Sequence, residues 1–341
     1  MGRIRFNNDY NRTAHPRVLE AILNSTADSY EGYGADEMCK IAEEKIRLLI
    51  KSQEASVYFF PGATQANYIV TTAALSPVQS VICADSGHIN CHEAASVEKS
   101  GHKIIALPNV NGKITAGQIE AEAQKYFLSG EAEYLTEPHM VYISFATEWG
   151  TLYSLDELTA ISDVCHKYGM LLFLDGARLG YAIGAEENDV KITDLSKLCD
   201  VFYIGGTKCG CIFGEALIII NPDLKPRFRT YMKQNGAVMA KGWIMGIQFA
   251  AILENNLYFE ITQKADELAM QIKGAFRRKG IREVVDSPTN QQFVVLTAEQ
   301  KALLSKYFIF EEMGDCVRFC TSWATKQEEV DLLIKEINKL P

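Results

Sequence analysis

Short apolar runs alternate with amphipathic stretches along the first two-thirds of the chain. The run SVYFF at 56–60 is typical of a buried strand, and the apolar residues of 64–75 recur after it at helical spacing. An amphipathic stretch at 155–169 ends in a glycine, a common helix terminus. This alternation predicts βαβ units and a mostly parallel sheet with helices on its faces. Further strand-like runs lie at 80–85, 103–107, 140–144, 170–175, 200–204 and 216–220.

The pattern changes after about residue 225. A long helical region from Trp243 to about Lys279 leads into a compact tail of alternating strands and helices at 292–296, 298–306, 316–320 and 326–340. We therefore predict three parts of the chain. They are an N-terminal segment (1–15) that packs near the small domain, a large domain (16–245), and a long connecting helix with a small α+β domain (246–341).

Composition and charge are those of an ordinary folded protein. Of the 341 residues, 48% are hydrophobic and 23% are charged, and the formal net charge is -9. This acidic balance gives no electrostatic reason to expect nucleic acid or an anionic membrane as a partner. The N-terminus lacks an apolar signal region, no apolar run reaches the length of a membrane span, and the nine cysteines form no CxxC pair. We therefore expect a cytoplasmic protein that does not bind nucleic acid or membranes.

Two of the predicted strands end in residues suited to binding a ligand. After SVYFF, Pro61 and Gly62 break the strand and a helix begins near Thr64, so free amides and a hydroxyl could hold a phosphate. The alternative is an ordinary glycine turn with Thr64 as the helix N-cap. Asp175 ends another apolar strand, where its carboxylate could pair with a cationic ligand atom or cap the next helix. Arg178 adds a guanidinium suited to a carboxylate.

A lysine follows a third strand. Lys208 comes after the apolar run 200–204 and lies among glycines and small residues in GGTKCG. It is either a solvated lysine at a turn or a lysine partly removed from water. In the second case its pKa is lowered and the amine becomes a nucleophile towards aldehydes.

Together the three strand ends suggest one cofactor. The carboxyl ends of parallel strands meet at the same edge of a sheet, so we expect the phosphate cradle, Asp175 and Lys208 to lie close together. Pyridoxal phosphate needs these three groups: a phosphate cradle, a carboxylate on its ring nitrogen and a lysine that bonds to its aldehyde. The sequence therefore predicts a binding site for pyridoxal 5'-phosphate.

Eight motifs carry a resemblance that extends over nearly the whole chain. The most specific are DGARL, GGTKCG, ATEWGTLYS and VRFCTSWAT at 175–179, 205–210, 146–154 and 317–325. NNDY, YGAD, PGATQAN and HINCHEA at 7–10, 33–36, 61–67 and 88–94 support them. With these motifs the chain resembles the low-specificity threonine aldolases of the β-eliminating lyase group. The resemblance implies an α/β fold of the PLP-dependent transferase type (fold type I), like that of aspartate aminotransferase, with a smaller α+β C-terminal domain.

The resemblance also implies a role for each candidate residue. Lys208 would bond to the cofactor aldehyde, Asp175 would bind the pyridine nitrogen, and His88 would lie against the face of the ring. These three are the candidate catalytic residues. Further cofactor contacts are implied for Ala63, Thr64, Gln65 and Arg178. Contacts with the amino acid substrate are implied for Asn8, Tyr33, Arg178 and Arg318, the two arginines on its carboxylate.

One departure from the family leaves the catalytic base open. One branch of the family has a histidine near the substrate hydroxyl, in the segment where this chain has Thr147 and Glu148. The base for the β-hydroxyl could therefore be His88, His92, Glu148 or a bound water. Family members are dimers or tetramers with shared active sites, so Lys233 and Lys241 are candidates for reaching a neighbour's cofactor phosphate, unless this basic stretch is simply solvated.

The implied reaction is retro-aldol cleavage of threonine or allo-threonine to glycine and an aldehyde by a lyase. The main alternative is another pyridoxal-phosphate reaction at Cα: β-elimination, racemisation or transamination. A cofactor-binding protein without catalysis is a second, and the retention of both arginines argues against it. A nicotinamide dehydrogenase is a weaker alternative, because this chain has no GxGxxG motif that follows a first strand and opens a helix. A zinc hydrolase would have to use His88, Cys91 and His92 without a further ligand at a usable spacing.

Overall fold

The protein is described by a computed structural model over residues 2–341. Its strands are β1 (Ile4–Arg5), β2 (Ser56–Phe60), β3 (Gln79–Ala84), β4 (Lys103–Leu107), β5 (Glu137–Ser144), β6 (Leu171–Asp175), β7 (Val201–Gly205), β8 (Glu215–Ile219), β9 (Gln291–Val294), β10 (Phe308–Ile309), β11 (Glu311–Met313) and β12 (Cys316–Cys320). Its α-helices are α1 (Pro16–Asn24), α2 (Glu37–Ile50), α3 (Ala63–Ala74), α4 (His88–Cys91), α5 (Ser96–Lys99), α6 (Ala116–Phe127), α7 (Leu155–Lys167), α8 (Leu179–Gly184), α9 (Ile192–Leu198), α10 (Phe228–Gln234), α11 (Trp243–Ile252), α12 (Leu257–Arg278), α13 (Ala298–Leu304) and α14 (Gln327–Asn338). Within residues 2–341, no helix is both long and apolar enough to cross a membrane.

The central sheet contains seven strands in the order β2-β8-β7-β6-β5-β3-β4. β8 runs antiparallel to both of its neighbours, and all the other pairs are parallel. Every residue of β6, β7 and β8 is buried, as expected for strands covered on both faces. The predicted α/β fold with a mostly parallel central sheet is confirmed.

Helices cover both faces of this sheet and enclose separate apolar cores. Ile143 and Leu174 belong to one core, whereas Tyr142 and Phe173, one position earlier on β5 and β6, belong to the other. This alternation follows from the two-residue period of a strand. The predicted helix at 155–169 is also present as α7, capped at its start by Ser154.

A smaller α+β unit follows the central sheet. β11, β12 and β9 form an antiparallel sheet in that order, and it shares an apolar core with α12 and α14. Phe6 belongs to this core, β1 pairs with β10, and the carbonyl of Phe6 accepts a hydrogen bond from the amide of Cys320 at 2.7 Å. The N-terminal segment therefore packs on the C-terminal unit. We keep the division of the chain at residues 15 and 245 as a proposal.

The long helical region is broken where the sequence predicts one continuous helix. α11 and α12 are separated by a short 3-10 segment, in which Asn255 and Asn256 have φ of 51° and 63°. These angles lie in the left-handed region, which asparagine tolerates better than most residues with a side chain. The chain thereby turns between α11, which packs on α2, and α12, which reaches the smaller unit.

Candidate active site

Three neighbouring parallel strands end side by side at one edge of the central sheet. β5 ends at Ser144, β6 at Asp175 and β7 at Gly205. The end of β6 approaches the end of β7 so closely that only glycine fits between them. A Cβ at Gly176 would lie 1.7 Å from the carbonyl oxygen of Tyr203. The loop that carries Lys208 is therefore held against the end of the strand that carries Asp175.

A cleft at this edge is lined by all three candidate catalytic residues, Lys208, Asp175 and His88. It contains about 330 Å³ of empty space, part of it open to solvent. The structure thus brings the amine, the carboxylate and the imidazole of the sequence analysis around one space. The lining residues are Ala63, His88, Ser144, Ala146, Glu148, Asp175, Ala177, Arg178 and Lys208.

A second cleft adjoins the first at the start of α3. Ala63 lines both clefts, and Thr64 and Gln65 line the second one. The first amides of α3 have no partner within the helix, and the helix dipole adds a positive partial charge, so this end of the cleft suits a phosphate. The side chain of Gln65 is engaged elsewhere, since its Nε2 donates to the carbonyl of Asn235 at 2.7 Å.

Lys208 is half-buried between β7 and β8. No carboxylate of residues 2–341 lies within ion-pair distance of its ammonium nitrogen. Burial, together with the charge of Arg178, lowers the pKa of Lys208 below its ordinary value. Nearby, Glu215 is buried and accepts hydrogen bonds from the amide of Gly206 and the hydroxyl of Thr207, and burial raises its pKa to about 8.

Asp175 is buried and surrounded by hydrogen-bond donors. Its carboxylate accepts hydrogen bonds from the hydroxyl of Tyr142, from Asn67 Nδ2 at 3.3 Å and from the amide of Ala177 at 2.9 Å. Burial by itself raises the pKa of Asp175, but the charge of His88 and the hydrogen bond from Tyr142 outweigh it, and the pKa lies below its ordinary value. The group is therefore a carboxylate that can hold a proton on a ring nitrogen next to it.

His88 begins α4 directly after the end of β3. Its Nδ1 lies 2.7 Å from Oε1 of Glu93, whose side chain is fully buried. The ring of His92 lies near it, with 5.6 Å between the ring centroids. Residues 2–341 contain no group of three histidine, cysteine or acidic side chains able to hold a metal ion.

Of the two arginines expected to bind the substrate carboxylate, Arg178 lines the first cleft and Arg318 does not. Arg178 makes a bidentate ion pair with the buried Asp9, with Nε and Nη2 at 2.7 and 3.1 Å from the two oxygens. Arg318 donates to Gln291 Oε1 at 2.9 Å, to the carbonyl of Asn7 at 3.1 Å, and to Glu311. Asn8 lies between two residues that each bind one of these arginines: the carbonyl of Asn7 accepts from Arg318, and Asp9 pairs with Arg178.

Unsatisfied polar atoms cluster around Arg318. Asn7 Oδ1, Asn290 Oδ1, Gln291 Nε2 and Arg318 Nε are all buried, and within residues 2–341 none of them has a hydrogen-bond partner. Buried polar groups in native proteins are nearly always paired. Such a cluster is therefore expected to take up a polar ligand or water.

Glu148 projects into the first cleft at the position that the sequence analysis left open. Its Oε1 accepts hydrogen bonds from the hydroxyl of Ser144 at 2.6 Å and the amide of His88 at 2.9 Å. Burial raises the pKa of Glu148 above its ordinary value. A carboxyl group whose pKa is raised in this way can exchange a proton with a ligand in the cleft.

Tyr33 and the two candidate lysines lie outside the cleft in the single chain. Tyr33 is about half exposed, its carbonyl accepts a hydrogen bond from Arg229, and its ring lies 4.5 Å from Nζ of Lys233. It lines a separate pocket with Arg229 and Gly242. Neither this residue nor Lys233 or Lys241 lines the cleft with Lys208.

Several residues of the site were not assigned a role from the sequence. Asn67 and Glu93 stand at or near the ends of motifs that were quoted for the resemblance, yet nothing in their spacing marks them as buried. Tyr142 and Tyr203 lie on apolar strands, where a tyrosine is usually core. A usable signal is that both tyrosines stand on strands next to β6, near the ends that carry the site.

Comparison with known proteins places the chain in a family. The sequence profile of the family described as beta-eliminating lyase matches residues 13–299, which is most of the chain. The chain belongs to the β-eliminating lyase family. A curated relative, the low specificity L-threonine aldolase of Pseudomonas aeruginosa, is 27% identical to this lyase over 329 residues, covering 94% of this chain and 93% of the relative. The low specificity L-threonine aldolase of Saccharomyces cerevisiae is 23% identical over 288 residues, covering 83% and 71%.

Solved structures agree with the family and the fold. A threonine aldolase from Leishmania major has a TM-score of 0.95 and 38% identity, over 98% of the lyase and 99% of that chain. An aspartate aminotransferase from Thermus thermophilus has a TM-score of 0.73 at 13% identity, over 99% and 91%, and shows the fold alone. The expected fold type I architecture is confirmed.

The cofactor of this lyase is pyridoxal 5'-phosphate, and the residues of the two clefts fit it. The free amides at the start of α3 suit its phosphate, and Lys208 offers an amine that has no ion-pair partner within residues 2–341. Next to Asp175, Oδ1 of Asn67 is buried without a hydrogen-bond partner within residues 2–341, and the buried hydroxyl of Tyr203 has no partner there other than Asp175. An aromatic, polar group that enters between these residues would satisfy them.

Proposed function

We propose that this lyase cleaves a β-hydroxy-α-amino acid, threonine or allo-threonine, to glycine and an aldehyde. The observation that carries the proposal is the cleft in which Lys208, Asp175 and Glu148 face one space. An amine, a carboxylate for the ring nitrogen and a second carboxylate for a substrate hydroxyl are the groups that this reaction needs. The similarity to threonine aldolases over nearly the whole chain supports the same conclusion.

Four sets of residues would hold the cofactor. Lys208 would bond to its aldehyde, and the lowered pKa of the amine makes it a better nucleophile. Asp175 would keep a proton on the ring nitrogen, and His88 would pack against the ring. The amides of Ala63, Thr64 and Gln65, with the Thr64 hydroxyl, would bind the phosphate. When bound, the cofactor supplies an electron-accepting ring that stabilises the negative charge left on Cα.

Arg178 and Arg318 would bind the substrate carboxylate. Asp9 orients one guanidinium, and the carbonyl of Asn7 and the side chain of Gln291 orient the other. Fixing the carboxylate selects which bond of Cα is broken, since the remaining substituents can then occupy only defined positions. Asn8 would line this end of the site.

Glu148 would remove the proton of the β-hydroxyl as the Cα–Cβ bond breaks. The hydrogen bonds that Ser144 and the amide of His88 donate both end on Oε1 of Glu148, and within residues 2–341 no other side chain donates to Oε2, which can therefore face the hydroxyl. The raised pKa of Glu148 brings it closer to the basicity that general-base catalysis at neutral pH needs.

We further propose that the lyase is a cytoplasmic homo-oligomer, a dimer or a tetramer, with shared active sites. Tyr33, Lys233 and Lys241 lie away from the cleft of their own chain, on a surface from which they could serve a neighbour's cofactor and substrate. A second copy of the chain would complete the site.

The proposal is tested by absorption spectroscopy and aldehyde release. The purified lyase, supplied with pyridoxal 5'-phosphate, is expected to show the visible band of a lysine-bound cofactor and to release acetaldehyde from threonine. Lys208→Ala should lose the band and the activity together. A band in the wild type without acetaldehyde would leave the cofactor in place and refute the aldol cleavage.

A further inference from the structure

Two buried side chains without an assigned role connect His88 to Asp175. Glu93 Oε1 lies 2.7 Å from Nδ1 of His88 and accepts a hydrogen bond from Asn67 Nδ2 at 2.7 Å. The same amide nitrogen lies 3.3 Å from Asp175 Oδ2. The result is an unbroken chain of contacts from the imidazole to the carboxylate, passing through Glu93 and Asn67.

Within this series of contacts, the charges of Glu93 and His88 depend on each other. Within residues 2–341 the buried carboxylate of Glu93 has His88 as its sole ion-pair partner, and no lysine or arginine reaches it. A buried carboxylate is costly unless it is paired and hydrogen-bonded. Glu93 therefore favours a proton on Nδ1 of His88 and fixes the plane of its ring. Ser96 Oγ donates to the second oxygen of Glu93 at 2.9 Å, so both oxygens are occupied.

The backbone next to Glu93 adopts an unfavourable conformation that keeps this arrangement. Ala94 and Ala95 have φ of 50° and 59°, in the left-handed region that alanine disfavours. This bend brings Ser96 back onto Glu93 at the start of α5. Strained residues of this kind persist where the surrounding structure requires them, often at functional sites.

We propose that Glu93 and Asn67 are positioning residues that connect His88 with Asp175. Through this connection, the two residues that would contact the ring of pyridoxal phosphate are held in a fixed arrangement relative to each other. His88 holds the face of the ring and Asp175 its nitrogen. Because Asn67 is shared between Glu93 and Asp175, a change at Glu93 alters the hydrogen bonding of Asp175 at the far end. A residue that served packing alone would not have this effect.

The test measures cofactor binding and its spectrum, so it does not depend on which substrate the lyase cleaves. Glu93→Gln keeps the size of the side chain and removes its charge. Apoenzyme of this variant, titrated with pyridoxal 5'-phosphate, is expected to bind at least about tenfold more weakly than wild type, since it loses a charge-assisted hydrogen bond. The visible band should also titrate at a different pH, because the carboxylate at the ring nitrogen is disturbed. Glu98→Gln, an exposed glutamate on α5, is the matched control and should change neither quantity.

Coupling to the far end is tested by combining Glu93→Gln with Asp175→Asn. If the two residues act through one chain, the double variant should lose less affinity than the sum of the single losses. Strict additivity would overturn the proposal. So would Glu93→Gln apoenzyme that is folded by circular dichroism, binds the cofactor within twofold of wild type and keeps its spectrum.

Should Glu93→Gln not fold, Ser96→Ala decides the question. This change removes the hydrogen bond from Ser96 to Glu93, and because Ser96 also lines the second cleft, the spectrum rather than the affinity is the deciding readout. We expect cofactor affinity to fall about two- to fivefold, with the same direction of spectral change. An unchanged spectrum in folded Ser96→Ala would overturn the proposal. Failure of the wild type to cleave threonine would refute the proposed function and leave this test as it stands.

Discussion

Burial shifts the pKa values of Lys208 and Glu148, which both line the first cleft, in opposite directions. The pKa of the Lys208 amine is lowered and that of the Glu148 carboxyl is raised, so each neutral form becomes more accessible near neutral pH. Asp9 behaves differently: burial raises its pKa, but the charges of Arg178 and Lys208 outweigh this, and it stays an anion. Glu148 and Asp9 are thus two carboxyl groups whose environments push their pKa values apart, an arrangement typical of acid–base catalysis.

Glu148→Gln tests the assignment of the base. We expect kcat for threonine cleavage to fall about 100-fold or more, the usual range for loss of a general base, while the cofactor still binds. A base must be unprotonated, and the pKa of Glu148 lies above the ordinary value. Wild-type activity should therefore rise with pH through this raised pKa, and the variant should lack that rise. The measurement is kcat against pH.

His92, another candidate for the base, provides the control for this prediction. Its ring lies near that of His88, and His92→Asn should keep most of the activity and the pH dependence. If His92→Asn instead abolishes the rise of kcat with pH and Glu148→Gln does not, the base has been assigned to the wrong residue.

Single residues were predictable from the sequence where one side chain carries a distinct chemistry at a strand end. Lys208 and Asp175 are of this kind, and the structure brings them to one cleft. The partners that hold them are harder to find, because Asn67, Glu93 and Tyr142 become part of the site only when separate segments meet in space. Their roles depend on distances that the sequence order does not contain.

At the level of elements, the site depends on how closely the ends of β6 and β7 approach. The amide of Gly205 donates to the carbonyl of Gly176 at 3.0 Å, and a side chain at either glycine would collide with the backbone of the facing loop. The two strands were predicted from apolar periodicity, whereas the short helices α8 and α9 between them were not. The close contact at the strand ends was not predicted either, because it is set by the pairing of the two strands.

Gly176→Ala tests this contact. We expect the free energy of unfolding of the apoenzyme to fall by about 3 kcal/mol or more, because the new methyl group would overlap the carbonyl of Tyr203 and force the strand ends apart. Denaturant unfolding measures the loss. Gly130→Ala is the matched control, since a Cβ there meets no atom within 4 Å, and it should change stability by less than about 0.5 kcal/mol.

The break between α11 and α12 gives a second prediction at this scale. The sequence predicts one long helical region from Trp243 to about Lys279, and Asn255 and Asn256 interrupt it. Asn256 has left-handed φ, so Asn256→Ala should destabilise the protein by about 1 kcal/mol and Asn256→Gly should be nearly neutral. Equal stabilities of the two variants in thermal unfolding would show that the left-handed conformation is not needed.

At the scale of the whole molecule, the position of Tyr33 on the surface is not explained by the structure of a single chain. Tyr33 is exposed, adopts a positive φ of 64° and lies beside Lys233, away from the cleft it was expected to line. The overall fold and its family were predictable because the motifs extend over nearly the whole sequence. The assembly was not, since a contact between two copies leaves no periodicity in one chain.

Hybrid oligomers test whether the sites are shared. Lys208→Ala and Tyr33→Ala should each be nearly inactive alone. If Tyr33 serves the neighbouring subunit, co-expressed chains form hybrids in which one of two sites has both residues intact, so about a quarter of wild-type activity should return. No recovery in hybrids proven by differential tagging, or a monomer in sedimentation, would contradict the shared site.

The products of threonine conversion test the central claim most directly. Cleavage of the Cα–Cβ bond predicts glycine and acetaldehyde in equal amounts from wild-type lyase loaded with pyridoxal 5'-phosphate, and neither from Lys208→Ala. Both can be quantified by mass spectrometry of a single reaction. Ammonia with 2-oxobutanoate, or threonine of inverted configuration without glycine, would show that the same residues break a different bond of Cα and would contradict the account.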